Sequence, residues 1–148
     1  MKLTNNLVAK GKLAIVVTDT SGKIKETREV NNLVVDVGLA YIASRMVGTT
    51  DTVMSHMGLG EGTTAAAAGD TALQTPLGSR VVLTSHEAVD NAVSYVATFP
   101  AGTGTGAVTE AGVFNASTNG TMLCRTVFSV INKAAGDAMT ITWTVTVE

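Results

Sequence analysis

Residues 139–147 read Met-Thr-Ile-Thr-Trp-Thr-Val-Thr-Val, which is the most regular alternation in the chain. Successive side chains of a β-strand point to opposite faces, so this pattern places the apolar side chains on one face and the threonines on the other. Such a strand is typical of an antiparallel sheet that has one covered face. The residues expected to be buried are Met139, Ile141, Trp143, Val145 and Val147.

A β-hairpin is predicted for residues 11–35. Leu13, Ile15 and Val17 alternate with smaller or polar residues, and the turn-forming residues 19–22, Asp-Thr-Ser-Gly, follow them. A second, more polar strand is predicted for residues 23–30. Its charged side chains indicate an exposed or edge strand, because charge there discourages pairing with another strand.

The hydrophobic period changes at residues 36–47, where a short helix is predicted. Asp36 is the expected N-cap, since its carboxylate can accept hydrogen bonds from the unpaired N–H groups of the first turn. Gly48 is placed to end the helix. The residues expected to form the buried face, at i, i+3, i+4 and i+7, are Leu39, Ile42, Ala43 and Met46.

The remaining residues predict further strands separated by turns. Residues 48–79 are rich in turn-forming residues, with a short strand at 53–59 and a small-residue tract at 63–70 that fits a helical turn or a packed loop. Asn119-Gly120 is a strong hairpin signal. The predicted pairs of strands are 80–88 with 92–99 and 108–115 with 121–131.

This pattern predicts a mainly β protein: an antiparallel, jelly-roll-like β-sandwich with one short α-helix packed on it. The length of 148 residues is ordinary for one domain. We assign residues 13–148 to a single β-sandwich domain. Residues 1–12 are expected to be an N-terminal arm that orders on contact, or simply a frayed terminus.

The composition is poor in charge. Charged residues make up 15% of the chain, against about 25% in typical soluble domains. Two interpretations stay open: part of the surface is covered by another protein, or abundant threonine hydroxyls make the surface polar. The net charge is −2. The basic residues among the first thirty are interleaved with acids, so the sequence predicts no nucleic acid partner.

The sequence also predicts no membrane partner, because no apolar run has the length needed to span a bilayer. The first residues lack the apolar core of a signal peptide, so we expect synthesis in a cytoplasm. Cys124 is the single cysteine, and its apolar neighbours predict a buried structural thiol rather than a disulfide.

Nothing in the sequence forms a convincing active site, and we assign no catalytic, cofactor-binding or metal-binding residue. His56 and His86 have no second metal ligand at suitable spacing. The glycine-rich residues 58–62 and 102–106 lack the context of a phosphate-binding loop and are interpreted as flexible turns. The acids interpreted as scattered, mostly at turns, are Asp51, Glu61, Asp70, Asp90, Glu110 and Asp137. The protein is therefore predicted not to be an enzyme.

Several segments occur in an order that resembles a widespread group of small structural proteins of tailed bacteriophages. The segments are NNLVVDVGLAYIA (31–43), MGLGEGTT (57–64), GDTAL (69–73), ATFP (97–100), TEAGVFN (109–115), RTVF (125–128) and TITW (140–143). The resemblance covers nearly the whole chain and implies a virion protein with a β-sandwich core and no catalysis. It transfers no site residue.

The function expected from this resemblance is capsid decoration: a cement protein, expected to be a homotrimer, that binds and stabilises the shell of the major capsid protein. The alternative is a tail, collar or baseplate protein that docks receptor-binding fibres. A third class, an enzyme or carbohydrate-binding module on the virion, would need an exposed aromatic platform. The aromatic residues, Trp143 among them, lie instead in core-like patterns.

Overall fold

The computed structural model of the protein describes residues 8–48 and 51–148. These residues form nine antiparallel strands in a sheet curled into a half-barrel, with one short helix. The mainly β prediction with a single short helix is confirmed. The strands are β1 (Ala9–Thr18), β2 (Ile24–Val34), β3 (His56–Gly60), β4 (Val81–Val82), β5 (Ser85–Val89), β6 (Ala92–Phe99), β7 (Gly106–Phe114), β8 (Met122–Lys133) and β9 (Ala138–Val147), and the helix is α1 (Asp36–Arg45).

The order of strands across the sheet is β4-β3-β7-β8-β2-β1-β9-β6-β5. Strand β2 joins the two halves of the sheet, but it pairs with β8 only at Leu33 with Arg125 and Val34 with Cys124. One core cluster contains residues from both halves, for example Ile15 of β1 and Val113 of β7. The halves are thus held together mainly by side-chain packing rather than by backbone hydrogen bonds.

Strand β9 lies between β1 and β6 and confirms the strongest prediction from the sequence. Met139, Ile141 and Trp143 are completely buried, and Val145 is 4% exposed. Val147 is only half-buried because it lies at the end of the core. The threonines between these residues are half-exposed, as the alternation predicts.

The predicted hairpins are present. β1 and β2 are joined by a turn in which Asp19 Oδ1 accepts hydrogen bonds from the N–H groups of Ser21 (2.9 Å) and Lys23 (3.1 Å). From residue 24 to 32, β2 pairs only with β1, so the prediction of an exposed, edge-like strand holds over that length. In the β7–β8 connection, Asn119 (φ 53°) and Gly120 (φ 69°) adopt the left-handed conformation that an Asn-Gly turn favours.

Two strand predictions differ in detail from the structure. The strand predicted at 53–59 begins only at His56. The strand predicted at 80–88 is divided, since β4 pairs with β3 while β5 pairs with β6. A chain that crosses from one half of the sheet to the other must break its ladder, and sequence alternation does not show where this occurs.

Helix α1 is present, but two predictions about it are wrong. Val35, not Asp36, occupies the N-cap position, and no side chain caps it. The buried residues are Gly38 and Tyr41, whereas Leu39 is 45% and Met46 is 83% exposed. The helix packs on β8 through Gly38, where any Cβ would collide with the backbone of Leu123. This close approach, rather than the apolar stripe, sets which face points inward.

The N-terminal segment is only partly described. β1 begins at Ala9, so residues 9–12 of the predicted arm lie in the sheet, beside β9. Val8 is hydrogen-bonded to the backbone of Glu148, and residues 1–7 of the predicted arm lie outside the described residues.

Candidate functional site

The histidine and cysteine side chains that could bind a metal or act in catalysis lie on three separate strands: His56 on β3, His86 on β5 and Cys124 on β8. His56 Nδ1 is 2.8 Å from the hydroxyl of Ser55, and His86 is exposed on β5. Cys124 is free and completely buried on β8, as predicted, and burial raises the pKa of its thiol well above the usual value. In the described part of the chain, no three His, Cys, Asp or Glu side chains are grouped as metal ligands.

The glycine-rich residues 58–62 are not the flexible turn that the sequence suggested. Gly58 and Gly60 belong to β3 and are buried. Gly60 and Gly62 instead make room for the carboxylate of Glu110: a Cβ at Gly62 would lie 2.5 Å from Glu110 Oε1. These glycines are therefore required by close packing against a side chain from the neighbouring strand β7.

Glu110 is completely buried and is bound by backbone N–H groups. Its Oε1 accepts hydrogen bonds from Gly62 (3.0 Å) and Thr75 (2.8 Å), and its Oε2 accepts one from Gln74 (3.0 Å). Converging backbone N–H groups of this kind form anion-binding sites in proteins. Here the anion is the protein's own carboxylate, so the resemblance of residues 58–62 to a phosphate loop has a structural explanation.

Arg125 of β8 completes the cluster from the opposite side. Its Nε donates to Glu110 Oε2 (2.9 Å), and its two terminal nitrogens donate to Asp70 Oδ2 (2.8 Å) and to the Thr64 carbonyl (3.0 Å). The Arg125 side chain is 3% exposed. We call Asp70, Glu110 and Arg125 the anchor cluster. Because it binds the backbone at Gly62, Thr64 and Gln74, it holds the strandless residues 61–75 against the sheet.

The anchor cluster was missed by sequence analysis, which interpreted Asp70 and Glu110 as scattered acids at turns. Glu110 and Arg125 lie on adjacent strands, but their proximity depends on the β7–β8 register, which shifts between Val108 and Glu110. The available signal was the short segment TEAGVFN, where an acid stands in an apolar strand. Two clefts, of about 330 and 260 Å³, border Arg125. Since its guanidinium is committed to internal acceptors, the cluster is a structural anchor.

A second buried ionic group lies where β8 turns into β9. Lys133 is 1% exposed and donates to the carbonyls of Pro100 (3.0 Å) and Asp137 (2.6 Å). Asp137 accepts a hydrogen bond from Lys25 (2.6 Å), and this bond, with that from the Ala134 N–H, holds the pKa of Asp137 below its usual value. Burial lowers the pKa of Lys133. The group ties the β1–β2 hairpin to the β8–β9 turn.

Strands β1, β9 and β6 share a regular face that the other described residues leave uncovered, and we call it the outer face. In the register of the sheet, Thr142 lies beside Ala14 on one side and Val96 on the other. The hydroxyls of Thr98 and Thr140 are hydrogen-bonded across the strands (3.0 Å). The centre of the outer face, which contains no charged residue, is formed by Ala14, Val16, Ser94, Val96, Thr98, Thr140, Thr142 and Thr144.

The charged residues of the outer face and its neighbours lie at the margin of this face rather than at its centre. Lys12 pairs with Glu29 of β2 (3.2 Å), and Glu87 lies beside Ser94 on the other side. A surface with charge at its margin and neutral side chains at its centre has the distribution found in protein–protein interfaces, whose cores are depleted of charge.

Comparisons with protein-family models, with curated proteins and with solved structures found no match to this chain. The helix of the described residues is too short to cross a bilayer.

Proposed function

We propose that this chain is a non-enzymatic structural protein of a bacteriophage virion, and that it acts as a capsid decoration protein. The observation that carries this proposal is the neutral centre of the outer face. Natural surfaces are normally interspersed with charge, which keeps proteins soluble and separate. A face of uncharged threonine, serine, alanine and valine side chains is instead suited to lie against another protein.

The order of segments that resembles phage structural proteins supports the same proposal. It includes TEAGVFN and RTVF, which contain Glu110 and Arg125 of the anchor cluster. In this proposal the cluster has a purely structural role: it holds residues 61–75 against β7 and β8, in the half of the sheet that does not carry the outer face.

The proposed mechanism is additive and needs no chemistry. Each copy, as part of a homotrimer, buries its outer face against neighbouring copies or the major capsid protein. Many copies then sum to a large barrier against rupture of the shell. Closed symmetry also covers sheet edges that would otherwise pair at random, such as the exposed strand β5. The proposed location is the virion, after synthesis in the bacterial cytoplasm.

Counting copies per particle tests the proposal. Quantitative mass spectrometry of the virion that carries this protein, normalised to the major capsid protein, is expected to give hundreds of copies. A dozen copies or fewer would reject decoration and favour the alternative, a tail, collar or baseplate protein that docks fibres. The absence of the chain from the virion would reject both.

A pair of matched variants tests the role of the outer face. Thr142→Lys places a charge at its centre, and Thr118→Lys places the same charge in the exposed β7–β8 loop. Thr142→Lys should weaken binding to undecorated particles by about tenfold or more, because an unpaired charge is costly in an interface. Thr118→Lys should bind normally. Equal binding by both variants would show that the outer face is not the docking surface.

We further propose that the curled sheet is a β-sandwich whose two layers are β5-β6-β9-β1-β2 and β8-β7-β3-β4. The shared core cluster and the two-pair junction between β2 and β8 support this interpretation. A crystal structure should contain two facing layers that separate beyond the junction. A continuous ladder along the full lengths of β2 and β8 would identify one open, curled sheet instead, and pairing between the edge strands β4 and β5 would identify a closed barrel.

A further inference from the structure

The outer face contains a row of four residues with opposite charges at its two ends. Paired residues of an antiparallel sheet lie directly opposite each other and share one face. The register of β1, β9, β6 and β5 places in this row, from one side to the other, Lys12, Thr144, Ser94 and Glu87. The Lys12 side chain is 60% exposed, and Glu87 is exposed without an ion-pair partner among the described residues. The row is therefore positive at β1, neutral on β9 and β6, and negative at β5.

The neighbouring rows on these strands add no second acid. The next row consists of Ala14, Thr142, Val96 and Ser85. The row after it consists of Val16, Thr140 and Thr98. On the other side, the row of Lys10 contains one charge on these four strands, and Lys10 is already paired with Glu148 (2.8 Å). The row of Lys12 and Glu87 thus determines the charge that the face offers to a partner.

We propose that the outer face binds the outer face of a second copy of this chain, about a two-fold axis that runs parallel to the strands and midway between β9 and β6. This rotation keeps each row in register and reverses the order of the strands, so that β1 lies over β5 of the second copy. Lys12 then faces Glu87 of the second copy, and the two-fold axis makes this contact twice. The neutral residues of β9 lie over those of β6.

Charge complementarity favours this axis over one that runs across the strands. An axis across the strands would place β1 over β1 of the second copy, and β1 contains no acidic residue that could face Lys12. With the axis along the strands, both charged ends lie at the rim of the contact and the neutral residues lie at its centre, which is the usual distribution in an interface. Aligned sheets pack about 10 Å apart, a distance that the long side chains of Lys12 and Glu87 can bridge.

The proposed contact is small. Four strands about 4.8 Å apart and four rows about 7 Å apart cover about 500 Å² on each copy, which is less than the roughly 800 Å² of a standard interface. We therefore expect weak pairing of the free protein, strengthened where many copies are held on one particle. This pairing rests on the proposed function, in which the outer face is a docking surface. Because a two-fold contact joins copies in twos, the proposed homotrimer would use other surfaces.

Two charge reversals in the full-length chain test the pairing. Lys12→Glu leaves only acids at the ends of the row, and Glu87→Lys leaves only bases, so each variant alone should self-associate about tenfold more weakly than wild type. An equimolar mixture of the two variants brings opposite charges together at both contacts and should restore association to the wild-type strength. Sedimentation velocity at concentrations up to about 1 mM, the range of weak complexes, measures the association.

Lys23→Glu and Glu61→Lys are the matched controls, because they make the same charge changes at exposed positions outside the outer face. Each control, and their mixture, should associate like wild type. Wild type that does not self-associate, or a mixture of Lys12→Glu and Glu87→Lys that associates no better than either variant alone, would overturn the pairing. If Thr142→Lys still weakened binding to undecorated particles in that case, the proposed function would stand, with the capsid protein as the partner of the outer face.

Discussion

At the scale of single residues, Glu110 is a completely buried carboxylate with several hydrogen-bond partners. Its carboxylate is shared by three backbone N–H groups and by Arg125, all within 3.0 Å. Removing one partner of a buried ion pair lowers stability far more than replacing both partners with apolar residues, because the remaining charge is left uncompensated.

Glu110→Gln should therefore lower the free energy of unfolding by about 3 kcal/mol. Glu29→Gln is the control: Glu29 is 69% exposed and pairs with Lys12, and loss of its charge should cost less than about 1 kcal/mol. Urea denaturation of both variants measures the difference. Equal stabilities would show that the buried carboxylate does not anchor the fold.

Asp70 should make the free energy of unfolding depend on pH in the acidic range. Burial acts to raise its pKa, but the Ala67 N–H and Arg125 outweigh this effect, and the pKa lies below 3.8 in the folded protein. A carboxyl with a depressed folded pKa stabilises the protein above its unfolded pKa, and this stabilisation is lost as the pH falls through the folded value.

Asp70→Asn should thus be less stable than wild type at pH 7, and the gap should narrow below about pH 4 as Asp70 becomes protonated in wild type. Thermal unfolding across this range measures the gap. Asp51→Asn, at an exposed position, is the control and should follow the wild-type curve. A gap that stays constant down to pH 2 would contradict the assignment.

At the scale of elements, the segment after β3 depends on glycine for space rather than for flexibility. Gly62→Ala should destabilise the protein by about 1–3 kcal/mol, because the new Cβ meets the Glu110 carboxylate. Gly69→Ala, where no atom lies within 4 Å of the new Cβ, should change stability by less than about 1 kcal/mol. Circular dichroism melting curves of the two variants check this, and similar losses would refute the packing argument.

Elements whose pattern is local could be predicted from the sequence, whereas contacts between elements could not. Strand β9 was predicted correctly because its alternation is local, and the hairpins were predicted because their turns have local chemistry. The prediction of which face of α1 is buried was wrong because Gly38 brings the helix backbone against Leu123. This is a contact between two elements, and a local sequence pattern does not contain it. The anchor cluster was missed for the same reason, since it depends on register between β7 and β8.

At the scale of the whole molecule, one core serves both halves of the sheet. The single tryptophan, Trp143, is completely buried in that core. We expect two-state unfolding, so that Trp143 fluorescence and far-ultraviolet circular dichroism give the same urea midpoint. Separate midpoints would show that the two halves unfold independently.

The position of Cys124 makes its thiol a natural reporter of opening at the β2–β8 junction. Cys124 pairs with Val34 at the narrow junction between β2 and β8. The Cys124 residue is completely buried while that junction is closed. Iodoacetamide therefore alkylates its thiol only when the junction opens. The labelling kinetics of the unaltered protein thus measure how often the two halves of the sheet separate at this junction, with no engineered tag.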